Sequence, residues 1–263
     1  MIERAQAVEF IRPADNGRTG PLILTCETLS GEMVELFCKF SAGCDQGVIN
    51  LAREAVAACL ARDLELPVPI PYFVEIAPEF SGIVTNLDAA QRITRSVPLA
   101  FGSTRSNQFA VWASGNPISN SLQPTAAASL VFDGIIQNPD RRIDNPNCLV
   151  KGDEIRLIDH ELAFAHKMIL LWSAPWVVGG LQNLADGDAR HIFFDQLSNK
   201  DIDWDGIKKS WKDLPDARLE EYERAIPLEW GGASGSVKDA LNLIRDARDN
   251  IDGCIDEVRR ILA

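Results

Sequence analysis

The residues of this sequence whose types and spacing could do chemistry lie in and just after one polar loop, residues 138–147. Asp140 and Asn145 are five positions apart in this loop, and Asp159 follows nineteen positions after Asp140. In this order one carboxylate can deprotonate an acceptor hydroxyl, while an amide oxygen and a second carboxylate hold Mg2+ against nucleotide phosphates. The pattern favours phosphoryl transfer. The alternative is that each of these residues merely makes a turn.

A short hairpin is predicted between the polar loop and Asp159. Two strand-like runs, 148–150 and 154–158, are joined by Lys-Gly-Asp, and a glycine in a short connection between apolar runs is typical of a hairpin. The segment 148–161 would bring both ends of the pattern to one metal ion. A helix is predicted before the loop, over 126–137, because Pro124 suits the first turn of a helix.

A cation that could hold phosphates lies in the first half of the chain. Lys39 is near the end of the predicted strand 33–40, where apolar and aromatic neighbours make a lysine costly without an anionic partner. Apolar spacing predicts a helix over 46–64, and Glu54 on this helix is the candidate partner. The alternative places both charges on solvated surfaces.

The segment 13–20 is the candidate phosphate-covering loop. Glycine lets backbone N–H groups approach an anion, so Asn16, Gly17 and Thr19 are candidate nucleotide contacts. The string is neither G-x-G-x-x-G nor a Walker A motif. An ordinary hairpin turn is therefore the alternative.

The elements that must position these residues form a mixed α and β chain. Period-2 runs bounded by turn residues predict strands over 7–11, 22–27, 33–40, 72–76 and 99–112. The first three form an antiparallel meander, and the polar insert 86–95 interrupts the later ones. An amphipathic helix is predicted over 237–262. We expect an N-lobe over 1–115 with a small antiparallel sheet and one helix, and a larger, mainly helical C-lobe over 116–263.

Composition excludes several classes of protein. The chain has 263 residues with 38 acidic and 26 basic side chains, and its net charge of −12 disfavours nucleic acid and anionic membranes as partners. The longest apolar run, 168–178, is about half the length that a membrane span needs. The six cysteines form no CxxC pair, and the first ten residues include charges rather than a signal-peptide stretch. We therefore expect a cytoplasmic globular protein.

These motifs together resemble the HipA-like kinases, and the catalytic loop is also similar to that of type II phosphatidylinositol 4-kinases. The resemblance covers residues 7 to about 166. It rests on E-L-F-C-K-F, N-L-A-R-E-A, N-P-D-R-R-I-D-N-P-N and I-D-H-E. It implies an α+β, two-lobed protein-kinase-like fold in which Asp140 is the catalytic base and Asn145 and Asp159 bind Mg2+. It also implies that Lys39 and Glu54 form an ion pair over the phosphates of ATP.

The sequence therefore predicts an ATP- and Mg2+-dependent kinase that transfers the γ-phosphoryl group to a hydroxyl, with a protein Ser or Thr as the favoured acceptor. Two alternatives remain at this point. One is a kinase that acts on a small-molecule or lipid hydroxyl. The other is a nucleotide-binding pseudokinase or adaptor without turnover, against which the presence of all five matching residues argues. No nucleic-acid or membrane partner is expected.

Overall fold

A closed five-stranded barrel forms the N-terminal part of the protein. The computed structural model describes residues 2–15, 17–113 and 115–263. The barrel strands are β1 (Glu3–Pro13), β2 (Leu22–Thr28), β3 (Met33–Lys39), β4 (Pro71–Glu75) and β5 (Leu99–Thr104), in the order β1-β2-β3-β5-β4. The first three strands form the antiparallel meander that their period predicts.

The closure of the barrel was not predicted from the sequence. Strand β1 begins four residues before the predicted start, and its residues 3–6 pair in parallel with residues 72–75 of β4. The sheet is therefore not wholly antiparallel. The early part of β1 carries charged and small residues rather than a clear apolar alternation, so its pairing depends on the long-range contact with β4.

Helix α1 (Val48–Asp63) lies between the barrel and the C-terminal helices. It follows Gly47, whose φ is +58°, and Glu65 at φ +57° and Pro67 end it. Every residue from 50 to 61 is buried, including charged ones, although the sequence predicted one apolar face. The helix is covered on more than one side, and the small side chains of its alanines leave room for its neighbours.

The polar insert 86–95 folds into helix α3 (Leu87–Arg95), which follows the short helix α2 (Phe80–Ile83). The side chain of Asn86 caps α3 by accepting a hydrogen bond from Ala89 N at 2.9 Å. Only Ala89 and Ile93 of this helix are buried, and both join the core of the barrel. Because so few positions are apolar, the sequence showed no clear helical period here.

The C-terminal part combines a small sheet with helices. Its strands are β6 (Ala110–Val111), β7 (Cys148–Lys151) and β8 (Glu154–Leu157), and the β7–β8 pair is the predicted hairpin. Its helices are α4 (Gln123–Ile135), α5 (Phe194–Leu197), α6 (Trp204–Lys212), α7 (Asp216–Ala225), α8 (Ser234–Asp249) and α9 (Ile251–Leu262). The helix predicted over 237–262 is thus two helices that meet at Asn250, whose side chain hydrogen-bonds Asp246 O.

The C-terminal segment packs directly on the N-terminal part. Trp230 is fully buried, donates its indole N–H to Leu99 O at 3.0 Å, and packs edge-on against Phe73 at 5.2 Å between ring centroids. One hydrophobic core therefore runs from α1 through α4 to α8 and α9, while a second fills the barrel. The division of the chain at 115/116 stays a prediction. In the described ranges, no helix has the length and apolar character to cross a membrane.

Candidate active site

Lys39 lies at the centre of a cluster of carboxylates. It is the last residue of β3, and its Nζ is 2.9 Å from Glu54 Oε2, 2.6 Å from Asp159 Oδ1 and 3.0 Å from Glu161 Oε2. Residues more than 100 positions apart thus meet at one ammonium group. The cluster joins the barrel, helix α1 and the segment after β8.

Burial and neighbouring charges shift the pKa values of Lys39 and Glu54 in opposite directions. Burial alone would lower the pKa of Lys39, but Glu54, Asp159 and Glu161 together raise it well above its ordinary value. For Glu54, burial would raise the pKa, but Lys39 and the hydrogen bond with His160 hold it far below the ordinary value. Lys39 and Glu54 are therefore both charged at neutral pH.

Helix α1 also holds the segment 159–161 through two side chains one turn apart. Glu54 Oε2 accepts a hydrogen bond from His160 N at 2.9 Å. Asn50, which is 2% exposed, donates from Nδ2 to Glu161 O at 2.9 Å and accepts from Gln46 N through Oδ1 at 2.7 Å. Residues at i and i+4 share a helix face, which is why both reach the same segment.

Replacing Asn50 with alanine is expected to lower the free energy of unfolding by about 1–3 kcal/mol, because it leaves Glu161 O and Gln46 N without their buried partner. Urea unfolding followed by circular dichroism measures the change. The matched control is Asn242→Ala on an exposed position of α8, which should change stability by less than about 0.5 kcal/mol. Equal effects of the two substitutions would show that the hydrogen bonds of Asn50 to Glu161 O and Gln46 N do not stabilise the protein.

Asp140 lies in the loop between α4 and β7, where two asparagines hold it. Its backbone N–H donates to Asn138 Oδ1 at 3.2 Å, and Asn147 Nδ2 donates to both its carbonyl, at 3.1 Å, and its carboxylate, at 3.2 Å. The backbone of Asn145 pairs with that of Arg142 in a tight turn. Within the described residues, the Asn145 side chain makes no hydrogen bond to Asp140 or Asp159.

Asn147 and Asp159 have left-handed backbones, which are uncommon outside glycine. The φ of Asp159 is +62° and that of Asn147 is +41°. Such conformations persist where surrounding contacts hold them, and they cluster at functional sites. Lys39 supplies such a contact for Asp159.

Arg141 is buried, although a solvated side chain was the simpler expectation for an arginine in a polar loop. Its guanidinium donates to Asp133 Oδ2 at 2.5 Å, to His160 Nε2 at 2.8 Å and to the carbonyl of Asn147. Because arginine only donates, His160 Nε2 must accept, and its Nδ1–H then faces Glu54 Oε1 at 3.6 Å. Hydrogen bonds thus connect Lys39 to the loop of Asp140.

Asp133 on α4 is the central hydrogen-bond acceptor of this network. It is fully buried and also accepts from Asn138 Nδ2 at 2.8 Å and His191 Nε2 at 3.0 Å. Burial would raise its pKa, but Arg141 and His191 keep it far below the ordinary value. Burial lowers the pKa of His191, so this histidine is neutral and donates through Nε2.

The loop between β1 and β2 approaches the carboxylate cluster through Arg18. Its guanidinium pairs with Asp45 and lies 3.9 Å from Glu161 Oε1, and its pKa is raised by the hydrogen bond to Asp45 and by the charges of Glu161 and Asp140. Gly17, on one side of Arg18, has a φ of +121°. Thr19, on the other side, has a buried side chain. Asn16 lies outside the described residues.

The structure thus brings together Lys39, Glu54 and Asp159, and places the loop of Asp140 at the other end of one hydrogen-bonded network. Sequence reasoning did not assign site roles to Arg18, Asp133 or Asn147. Asn147 could have been noticed in the sequence as the second asparagine of the Asn-Pro-Asn string. Carboxylate oxygens of Glu54, Asp159 and Glu161 lie within 4.8 Å of one another, and oxygen ligands of this kind suit Mg2+.

A lysine held between carboxylates beside an Asp-Asn loop is the arrangement expected of a kinase-type phosphotransferase. The sequence model of the HipA-like kinases matches residues 7–175, more than half of the chain, so the chain belongs to this family. The predicted family is thereby confirmed, and membership supports a kinase-type phosphotransferase.

Comparison with individual proteins finds similar solved structures but no curated relative. The crystal structure of a Helicobacter pylori proinflammatory kinase, CtkA, aligns with 97% of this chain and 95% of its own, at a TM-score of 0.47 and 11% sequence identity. No curated protein sequence matches this chain.

Proposed function

We propose that this protein is an ATP- and Mg2+-dependent kinase that transfers the γ-phosphoryl group to a hydroxyl, with a protein Ser or Thr as the favoured acceptor. The observation that carries the proposal is the position of Lys39 between Glu54 and Asp159 in a member of the HipA-like kinase family. An electrostatic clamp of this kind is the main contribution that a protein makes to phosphoryl transfer.

The proposed architecture has two lobes, 1–115 and 116–263, with the nucleotide between them. Lys39 would hold the phosphates while Glu54 keeps it in place. Gly17 and the backbone of Thr19 would cover the phosphates, and Asn16 is proposed to do the same. The side chain of Thr19 is buried, so its contribution would come from the N–H group.

Asp140 is the proposed base that accepts the proton of the acceptor hydroxyl. The amide of Asn147 donates to its carboxylate and would keep one oxygen oriented. Asn145 and Asp159 are the proposed metal ligands. When bound, Mg2+ neutralises phosphate oxygens. The network from Glu54 through His160 and Arg141 would fix the distance between the lysine and the base.

The test is ADP formation by the purified protein with ATP in Mg2+ or in EDTA, together with a panel of Ser/Thr peptides and small polyols. We expect Mg2+-dependent turnover, and we expect Lys39→Met to lower it by about 10²–10³-fold, because it removes the cation that faces the phosphates. The matched control is Lys209→Met, an exposed lysine of α6. Turnover by the Lys39 variant at the wild-type rate would contradict the proposed role.

The binding alternative gives a different result in the same experiment. A pseudokinase would show a higher melting temperature with ATP and Mg2+ but no ADP formation with any acceptor. If ATP with Mg2+ neither raises the melting temperature nor is hydrolysed or transferred, the kinase proposal fails together with the pseudokinase alternative. Mass spectrometry of the phosphorylated peptide or polyol would identify the class of acceptor.

A further inference from the structure

Glu161 has a buried carboxylate without a matching hydrogen-bond donor. The residue is 5% exposed, and its Oε2 has no hydrogen-bond partner among the described residues. Lys39 Nζ is 3.0 Å away, but outside hydrogen-bond geometry. The neighbouring Glu54, by contrast, accepts hydrogen bonds from both Lys39 and His160. A buried carboxylate left in this state is costly unless it takes up a proton or another cation reaches it.

The charges around Glu161 do not balance within the cluster. Three carboxylates, those of Glu54, Asp159 and Glu161, share the single ammonium of Lys39. The next cation, Arg18, is half exposed, pairs with Asp45, and comes no closer to Glu161 than 3.9 Å. With all three carboxylates ionised, the cluster has an excess of negative charge that one divalent cation would offset.

The position of Glu161 is set before any ligand arrives. Asn50 holds its carbonyl, and Glu54 holds the N–H of His160, the residue before it. Asp159, two positions earlier, has a left-handed backbone, and its carboxylate lies within 4.8 Å of those of Glu54 and Glu161. Oxygen ligands that are already gathered lose little entropy when they bind a metal.

We propose that Asp159 and Glu161 bind a divalent cation in the absence of nucleotide. Glu161 is then a metal ligand in addition to the pair Asn145 and Asp159. Glu54 keeps its ion pair with Lys39, because it already accepts hydrogen bonds from two donors. Asp159 and Glu161 exchange their contacts with Lys39 for contacts with the metal ion. Hard oxygen ligands select Mg2+ or Mn2+. The inference deepens the proposed function, since a cation bound first would release Lys39 for phosphate.

Titration with Mn2+ alone tests this inference, with free Mn2+ followed by electron paramagnetic resonance. We expect one Mn2+ to bind the wild-type protein without nucleotide. Glu161→Gln, which keeps the size of the side chain, should weaken binding by at least about tenfold, because it removes a charged ligand. Glu220→Gln, on an exposed position of α7, is the matched control and should bind as the wild type does.

Two results would overturn the inference. One is wild-type protein that binds no Mn2+ at millimolar concentration, and the other is Glu161→Gln that binds it as tightly as the wild type. If Glu161→Gln does not fold, Glu161→Asp and the Mg2+-induced rise in wild-type melting temperature replace it, and the absence of that rise counts against the inference. ADP formation with unchanged Mn2+ binding by the variant contradicts only this inference. Mn2+ binding as expected without any binding of ATP contradicts only the proposed kinase function.

Discussion

Replacement of Asp133 with asparagine is expected to lower the free energy of unfolding by about 3–5 kcal/mol, the largest loss of stability that we predict for a single conservative change. Asp133 is fully buried and accepts hydrogen bonds from Asn138, Arg141 and His191. An amide in its place cannot neutralise Arg141, and its NH2 group would face donors. The variant would leave a buried guanidinium without its counter-charge.

Chemical unfolding at pH 7 measures this effect. Asp256→Asn, on an exposed position of α9, is the matched control and should change stability by less than about 0.5 kcal/mol. A loss below about 1 kcal/mol for Asp133→Asn would show that the network does not depend on the charge of this residue.

The same substitution should change the pH dependence of stability. The pKa of Asp133 lies far below its ordinary value of 3.8, so its contribution is present above about pH 4 and is lost as the pH falls through the folded-state pKa. The difference in unfolding free energy between wild type and Asp133→Asn should therefore shrink below about pH 4. If the difference in unfolding free energy stays constant from pH 7 to pH 3, the pKa of Asp133 is not the source of its contribution to stability.

The second large effect is expected at Asp140. Asp140→Asn should lower the rate of ADP formation by about 10²–10⁴-fold, because an amide cannot accept the proton of the acceptor hydroxyl. ATP binding should change little, since Lys39 and its carboxylates lie elsewhere in the site. Thermal shifts with ATP and Mg2+ measure binding, and a coupled assay of ADP measures turnover.

Asp144 in the same loop supplies a matched control for this experiment. Its carboxylate is 65% exposed, and it shares Arg142 with Asp140. Asp144→Asn should retain turnover within a few-fold of the wild type, because an exposed charge of this kind contributes little. If both variants lose turnover equally, the loop depends on its overall charge, and Asp140 is not the base.

Short-range patterns were enough to predict the β7–β8 hairpin, the polar loop before it and the first three strands. Their turn residues and apolar periods act within about ten positions, so the chain encodes them locally. The pairing of Lys39 with Glu54 was also expected, since a lysine among apolar residues needs an anion. The roles of Asp140, Asn145 and Asp159 stay predictions that the proposed experiments test.

Only the tertiary structure decided the features that depend on distant parts of the chain. Barrel closure needs residues 3–6 beside residues 72–75, and helix α1 is buried because the segment around Trp230 covers it. Arg141 becomes a buried centre of hydrogen bonds only when α4 supplies Asp133. Hydrophobic pattern determines which segments form strands and helices, but desolvation of a charge depends on every element packed around it. For that reason the sequence determined the identity of the candidate catalytic residues, and the packing decided which further side chains support them.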